Sequence, residues 1–161
     1  GEGHIFLMQN STWPSPPFHA SKMINANYMS NALRVVARPL PPSLKNLTVF
    51  AATSASLAGA EFVLRVVNDN NVSVHAYIFL NGVPITSTAS VQTLSSPLIG
   101  TPEYDLFKGG WNSPADTSFI SPRSSVWSAG HQPYSFPAKS FVVMTFNTSA
   151  RRSKFDVPVS I

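Results

Sequence analysis

Phe62-Val63-Leu64-Arg65-Val66-Val67-Asn68, a polar turn, and then Val72-Ser73-Val74-His75-Ala76-Tyr77-Ile78 decide the fold. In the first run Phe62, Leu64 and Val66 alternate with their neighbours. In the second, Val74, Ala76 and Ile78 do the same, and Leu80 extends the pattern. A period of two puts these side chains on one face of a pleated strand, and that face is expected to meet the core. His75, between Val74 and Ala76, is expected to point outward. Asn68-Asp69-Asn70-Asn71 separates the two runs. Asn81-Gly82 follows them, a dipeptide suited to a two-residue hairpin turn.

Similar segments lie on either side. Ala32 to Ala37, Leu47 to Thr53, Glu61 to Asn68, Val72 to Leu80 and Thr86 to Leu94 each read as a strand bounded by turn residues, with Pro39-Leu40-Pro41-Pro42 as a stiff connector. Ser95 to Gln132 reads as one long irregular stretch rich in Ser, Pro, Gly and Trp. A loop of that length in a compact domain is functional or packed on a neighbour. Tyr134 to Phe136, Ser140 to Phe146 and Phe155 to Val159 complete the strands, the last within a basic tail. Many short strands divided by turns predict a mainly β chain, a jelly-roll-like β-sandwich over residues 32–161.

Residues 1–31 do not share that pattern. His4-Ile5-Phe6-Leu7-Met8 is a continuous apolar run, suited to a strand covered on both faces as in a parallel sheet. Asn10 to Pro17 reads as a loop. A helix follows, with Ser15 as N-cap, prolines in its first turn, an apolar face of Phe18, Ala20, Met23, Ile24 and Tyr28, and a stop at Asn31. One strand and one helix are expected to belong to a different domain.

Composition narrows the functions. Of 161 residues, 11% are charged, well below the usual quarter or so, and 43% are hydrophobic. This excludes a disordered polyelectrolyte and a coiled coil. Fourteen prolines argue against a mostly helical fold, because each fixes φ and removes a backbone donor. The net charge of +4 reflects scarce acids, and the one dense basic cluster, Arg151, Arg152 and Lys154, is too narrow for a nucleic-acid surface. With no cysteine there is no thiolate metal site, thiol nucleophile or disulfide framework. No apolar run nears the roughly 20 residues that span a bilayer. The start at Gly1 is expected to be a processed or trimmed end.

Four sequons stand at Asn10, Asn46, Asn71 and Asn147. They point to a secreted glycoprotein with N-linked glycans, extracellular or in a cell wall. Asn46 follows a proline loop and Asn71 lies in a turn, so both are expected to be exposed. Asn112-Ser113-Pro114 is not a sequon.

Catalytic chemistry is harder to place. A glycosidase needs two carboxyl groups across the sugar ring. Glu2, Glu61, Asp69, Glu103, Asp105, Asp116 and Asp156 show no convergent pair, and their ordinary reading is surface or turn acids. His4, His19, His75 and His131 lack metal-ligand spacing, so no metal and no cofactor is expected. His4, at the head of the apolar strand, faces either a site or plain packing. No serine elbow and no phosphate loop is present. Trp13, Trp111 and Trp127 fall in expected loops, where they either stack on sugar rings or plug a junction between domains.

The ordered set of segments resembles the C-terminal domain of α-L-arabinofuranosidases of glycoside hydrolase family 51. The likeness runs from the two strands quoted first, through Asn81-Gly82, Thr93-Leu94, Asn112-Ser113-Pro114 and Ser121-Pro122. It ends at Tyr134-Ser135-Phe136-Pro137-Ala138-Lys139-Ser140, covering roughly Ala32 to Asn147. Gly3-His4-Ile5-Phe6-Leu7, Asn10, Trp13, Pro16-Pro17 and Met23 are similar to the last barrel strand and helix of divergent members.

The resemblance implies that residues 1–31 are the final strand and helix of a (β/α)8 barrel completed by another chain. That partner would carry the catalytic glutamates, so no residue here inherits their role. It also implies a polar side chain near the sugar on the last strand, for which His4 or Gln9 are the candidates, with Trp13 close by. The chain is then the small subunit of a heterodimeric glycosidase acting on a glycan substrate. Two rival readings remain: a non-enzymatic secreted glycoprotein of adhesive or fibre-forming type, and a carbohydrate-binding module using Trp13 or Trp127.

Overall fold

A computed structural model describes residues 5–8, 11–36, 46–54, 61–99, 112–113, 116, 119–130, 132–147 and 158–160. Two short strands, β1 (Ile5–Met8) and β2 (Ser11–Pro14), come first, then one helix, α1 (Pro16–Ala26). The strands β3 (Asn31–Val36), β4 (Leu47–Thr53), β5 (Glu61–Asn68), β6 (Val74–Ala76), β7 (Phe79–Leu80), β8 (Val83–Pro84) and β9 (Thr88–Ser95) follow. β10 (Arg123–Ser128), β11 (Tyr134–Phe136), β12 (Ser140–Asn147) and β13 (Pro158–Ser160) complete the chain.

The main sheet runs β10-β9-β12-β5-β4-β3-β13-β7-β8, antiparallel except where β13 lies parallel to β3. β6 and β11 form a separate antiparallel pair. Leu33, Val35 and Leu80 from one side of the main sheet pack on the same core as Val66, Val91, Met144 and Phe146 from the other. A sheet nine strands wide at about 4.8 Å per strand can do this only by curling over. Val74, Ala76, Ile78 and Phe136 close the layer opposite β5 and β12. The fold is therefore a mainly β sandwich, as the sequence pattern predicts.

Phe62, Leu64 and Val66 face this core, with Phe62 stacked on Phe146 at 4.4 Å between ring centroids. Their alternates are not all in solvent. Val63 and Val143, on the outer face of β5 and β12, are buried with Met23, Leu94 and Ile120 in a second cluster. The helix and the segment around Ile120 form a third layer on the sheet, and that third layer positions the site described below.

Several expectations shift. The run Val72 to Leu80 is not one strand: it breaks at Tyr77 and Ile78, because β6 pairs with β11 while β7 pairs with β13 and β8. The alternation survives the corner, with Val74, Ala76 and Ile78 buried and His75 outward. Arg123–Ser128, read as part of an irregular stretch, is a strand on the sheet edge, paired only with β9. Most of its side chains are exposed, so it lacks the apolar alternation that marks a strand.

The helix ends at Asn27 rather than Asn31, and Ile24 and Tyr28 are exposed, so its apolar face is narrower than expected. Ser11–Pro14 is a strand, not a loop. β1 pairs antiparallel with β2 instead of lying in a parallel sheet, and Ile5 is 50% exposed rather than covered on both faces. The physical reason is local: the nearest strand able to satisfy β1's backbone groups is the one that follows it. Its other edge carries no strand among the described residues.

Candidate functional site

The junction between the N-terminal βα segment and the sandwich gathers the buried polar groups of the N-terminal part. Ser15, fully buried, caps α1: its Oγ accepts from the Phe18 N–H at 3.3 Å, and Pro16 and Pro17 occupy the first positions, where no N–H is needed. Just before it, Trp13 is 8% exposed, and its indole Nε1 donates to the Asn112 carbonyl oxygen at 3.1 Å.

Asn112 is itself buried and answers in several directions. Its Nδ2 donates to the Pro14 carbonyl at 2.9 Å and to the Ile120 carbonyl at 3.0 Å, while its Oδ1 accepts from the Ile120 N–H at 2.6 Å. One amide thus fastens β2 to the segment that covers Val63 and Val143. A buried amide with both N–H groups and its oxygen engaged adds orientation as well as stability.

The far end of α1 is held in the same way. Asn27 Nδ2 donates to the Met23 carbonyl at 2.8 Å and to Gln92 Oε1 at 3.2 Å, and Asn27 Oδ1 accepts from the Thr145 hydroxyl at 3.2 Å. Arg65 Nη2 donates to the carbonyls of Asn27 at 2.7 Å and Ile24 at 3.3 Å. A cation on the last carbonyls of a helix also suits its negative end. This explains why the helix stops early. Met23, the one buried helix residue, seats between these two polar anchors.

Beside Asn27 lies an open groove of about 420 Å3 lined by Ser90, Gln92, Ser124, Val126 and Thr145 among others. It presents neutral amides and hydroxyls but no aromatic ring among its lining residues. His19 sits on α1 edge-on to Phe18, with Nε2 buried and without a partner among the described residues. Burial first, and then the Lys22 charge, hold its imidazole below its ordinary pKa.

Of the sequence candidates, His4 and Gln9 lie outside the described residues, as do Asn10 and Trp111. Trp13 is placed at the junction, but with its ring buried and its N–H engaged it offers no stacking face. Trp127 is on β10 rather than in a loop, half-buried and edge-on to Tyr134 at 5.6 Å. Asn46 and Asn71 are exposed, and Asn147 closes β12. Sequence reasoning missed Asn112, Asn27 and Arg65. The one local sign was an asparagine within a Ser/Pro-rich stretch.

The described acids do not converge. Glu61 and Asp69 stand at opposite ends of the eight-residue strand β5, roughly 26 Å of extended chain apart. Retaining glycosidases set their carboxyls about 5 Å apart and inverting ones less than 10 Å. Asp69 is paired with Lys139 at 2.8 Å, and Asp116 is exposed. Among the described residues no three acidic or histidine side chains gather to hold a metal ion. No described helix is long and apolar enough to cross a membrane.

No family model and no curated protein matches the chain in sequence. Solved structures do match in shape. An arabinose-bound family-51 α-L-arabinofuranosidase, MgGH51, superposes with a TM-score of 0.66 at 18% identity, covering 91% of this chain and 21% of that one. The α-L-arabinofuranosidase of Thermotoga maritima, in complex with arabinose, gives 0.65 at 13% identity, with coverage of 90% and 31%. The thermostable family-51 enzyme of Thermotoga petrophila gives 0.61 at 14% identity, with 89% and 31%. The chain thus spans less than a third of the proteins it matches. In fold it is similar to the C-terminal portion of family-51 α-L-arabinofuranosidases.

Proposed function

We propose that the chain is the C-terminal part, or small subunit, of a secreted glycoside hydrolase of the α-L-arabinofuranosidase type. Residues 1–31 supply the last strand and helix of a (β/α)8 barrel that another chain completes, and residues 32–161 form the sandwich that buttresses it. The observation that carries this reading is the asymmetric match: about nine-tenths of this chain against 21–31% of the solved enzymes. The glutamates of a two-carboxylate retaining mechanism then lie on the partner, which also fits the dispersed acids among the described residues.

β1 is already paired antiparallel with β2, a pairing that an all-parallel barrel does not contain, so the support from the N-terminal segment rests on its other edge and on α1. β1 leaves one edge without a strand among the described residues and exposes Ile5, so it offers backbone groups to a neighbour. The side of α1 away from Met23 has an open hollow of about 480 Å3, lined by Phe18, Ser21, Lys22, Asn25 and Ala26, so this face is uncovered among the described residues. His4 and Gln9 would face the sugar from the barrel strand. Trp13 serves the junction.

Purification of the native protein without denaturant tests the proposal. The expected result is a second chain bearing barrel strands and two glutamates, with hydrolysis of an aryl arabinofuranoside that disappears when either glutamate is replaced by Gln. A lone chain with no partner and no hydrolysis would favour the non-enzymatic glycoprotein instead.

A further inference from the structure

The turn after β5 sorts four consecutive polar residues by role. Asn68 is buried, and its Nδ2 reaches the carbonyls of Val72, Phe136 and Pro137 at 2.8–3.1 Å. Asn70 is buried too, with its N–H and its Nδ2 both donating to Asn68 Oδ1 at 3.1 and 2.8 Å. Asp69 is paired with Lys139. Asn71 alone has an exposed side chain with no bond to this frame, and it begins Asn71-Val72-Ser73, all three residues exposed.

Asn46 is presented at the same end of the sandwich. The Asp69 N–H donates to the Asn46 carbonyl at 2.8 Å, and Leu47 pairs with Asn68 across the sheet. Its side chain and that of Thr48, the hydroxyl residue of its sequon, are exposed. β3 meets β4 only at Ala51–Thr53, so among the described residues this start of β4 has a strand on one side only. By contrast Asn27, Asn68, Asn70 and Asn112 are held by hydrogen bonds inside the fold. The fold turns these four asparagines inward and leaves the two sequon asparagines in solvent, together with Asn25, Asn31 and Asn81, which head no sequon.

We infer that Asn46 and Asn71 are a pair of N-glycan acceptors on one end of the sandwich, and that this end stays clear of the partner chain. The inference rests on the secretion included in the proposed function. In the transfer, Asn Nδ2 attacks the anomeric carbon of a polyprenyl-diphosphate-linked oligosaccharide. The N–C bond forms, the C–O bond to diphosphate breaks, the lipid diphosphate leaves with the electron pair, and one amide proton is released. Each glycan adds a large hydrated group. Two on neighbouring segments would exclude a protein surface from that end.

Peptide N-glycosidase in 18O-water, applied to the native assembly and followed by peptide mapping, tests both halves. It hydrolyses the glycosylated amide to an aspartate that carries the heavy oxygen. The expected result is labelled aspartate at both 46 and 71, with release from the undissociated assembly. Unlabelled asparagine at either position overturns the pairing, and release only after dissociation overturns the clear end. Arabinofuranoside hydrolysis, measured on the same sample, reports separately on the proposed function.

Discussion

The Trp13 indole and the Asn112 carbonyl, 99 residues apart in the chain, meet in a buried hydrogen bond of 3.1 Å. Around that bond the Asn112 side chain satisfies Pro14 and Ile120. The N-terminal segment is therefore fixed to the sandwich by a specific polar fastener as well as by apolar contact.

Asn112→Ala leaves the Ile120 N–H and two carbonyls without their partner. Buried groups left unmet cost about 1–3 kcal/mol each, with relaxation and water recovering part. We expect a loss of about 2–4 kcal/mol in urea unfolding. Asn112→Asp also fails, because it removes both donors and buries a charge. A change below about 0.5 kcal/mol would show that the fastener is decorative.

Met23→Ala opens a cavity where α1 meets Val63 and Val143. Truncations of this kind lower stability by about 2–5 kcal/mol, whereas Met23→Leu is expected to stay within about 1.5 kcal/mol. Thermal melts of both variants compare the two. A loss below about 1 kcal/mol for Met23→Ala would mean that Met23 packs loosely.

Arg65→Met keeps the apolar stem but removes the donor to the Ile24 and Asn27 carbonyls. Hydrogen exchange should accelerate at the last turn of α1 while β5 and β12 keep their protection. The expected loss of stability is about 1–2 kcal/mol. Unchanged exchange in α1 would assign the helix end to Asn27 alone.

His19 gives a pH dependence of known sign. Burial and Lys22 lower its folded pKa, so the unfolded chain binds the proton more readily. Its contribution is fully present above the ordinary imidazole value of about 6.5 and is lost as pH falls from there through the lowered folded value. In His19→Gln the slope of stability against pH in that window should flatten. Identical slopes in the two proteins would refute the assignment.

Much of the sandwich was legible because its central strands carry their own period. Leu47–Thr53 and Glu61–Asn68 have the bounds read from their flanking turn residues, and the Ser15 cap lies where the prolines indicate. β10 was not legible, since an edge strand exposed along most of its length has no reason to alternate. The corner at Tyr77 was not legible either, because the apolar period runs through it while the pairing partners change. Asn112 was hidden for a different reason. Its partner at Pro14 lies 98 residues away, and nothing local in a Ser/Pro-rich stretch announces so distant a contact.

The two anchors on the N-terminal segment, one at β2 and one at the end of α1, have a mechanical consequence. Asn112 behind Trp13 and Arg65 with Asn27 at the other end rivet the segment to the sandwich sheet, whereas β1 keeps one edge with no strand beside it among the described residues. If two chains of the proposed enzyme are pulled apart, the tear line runs along that bare edge. The strand and helix then travel with the sandwich, and the barrel is left gaping by one βα unit.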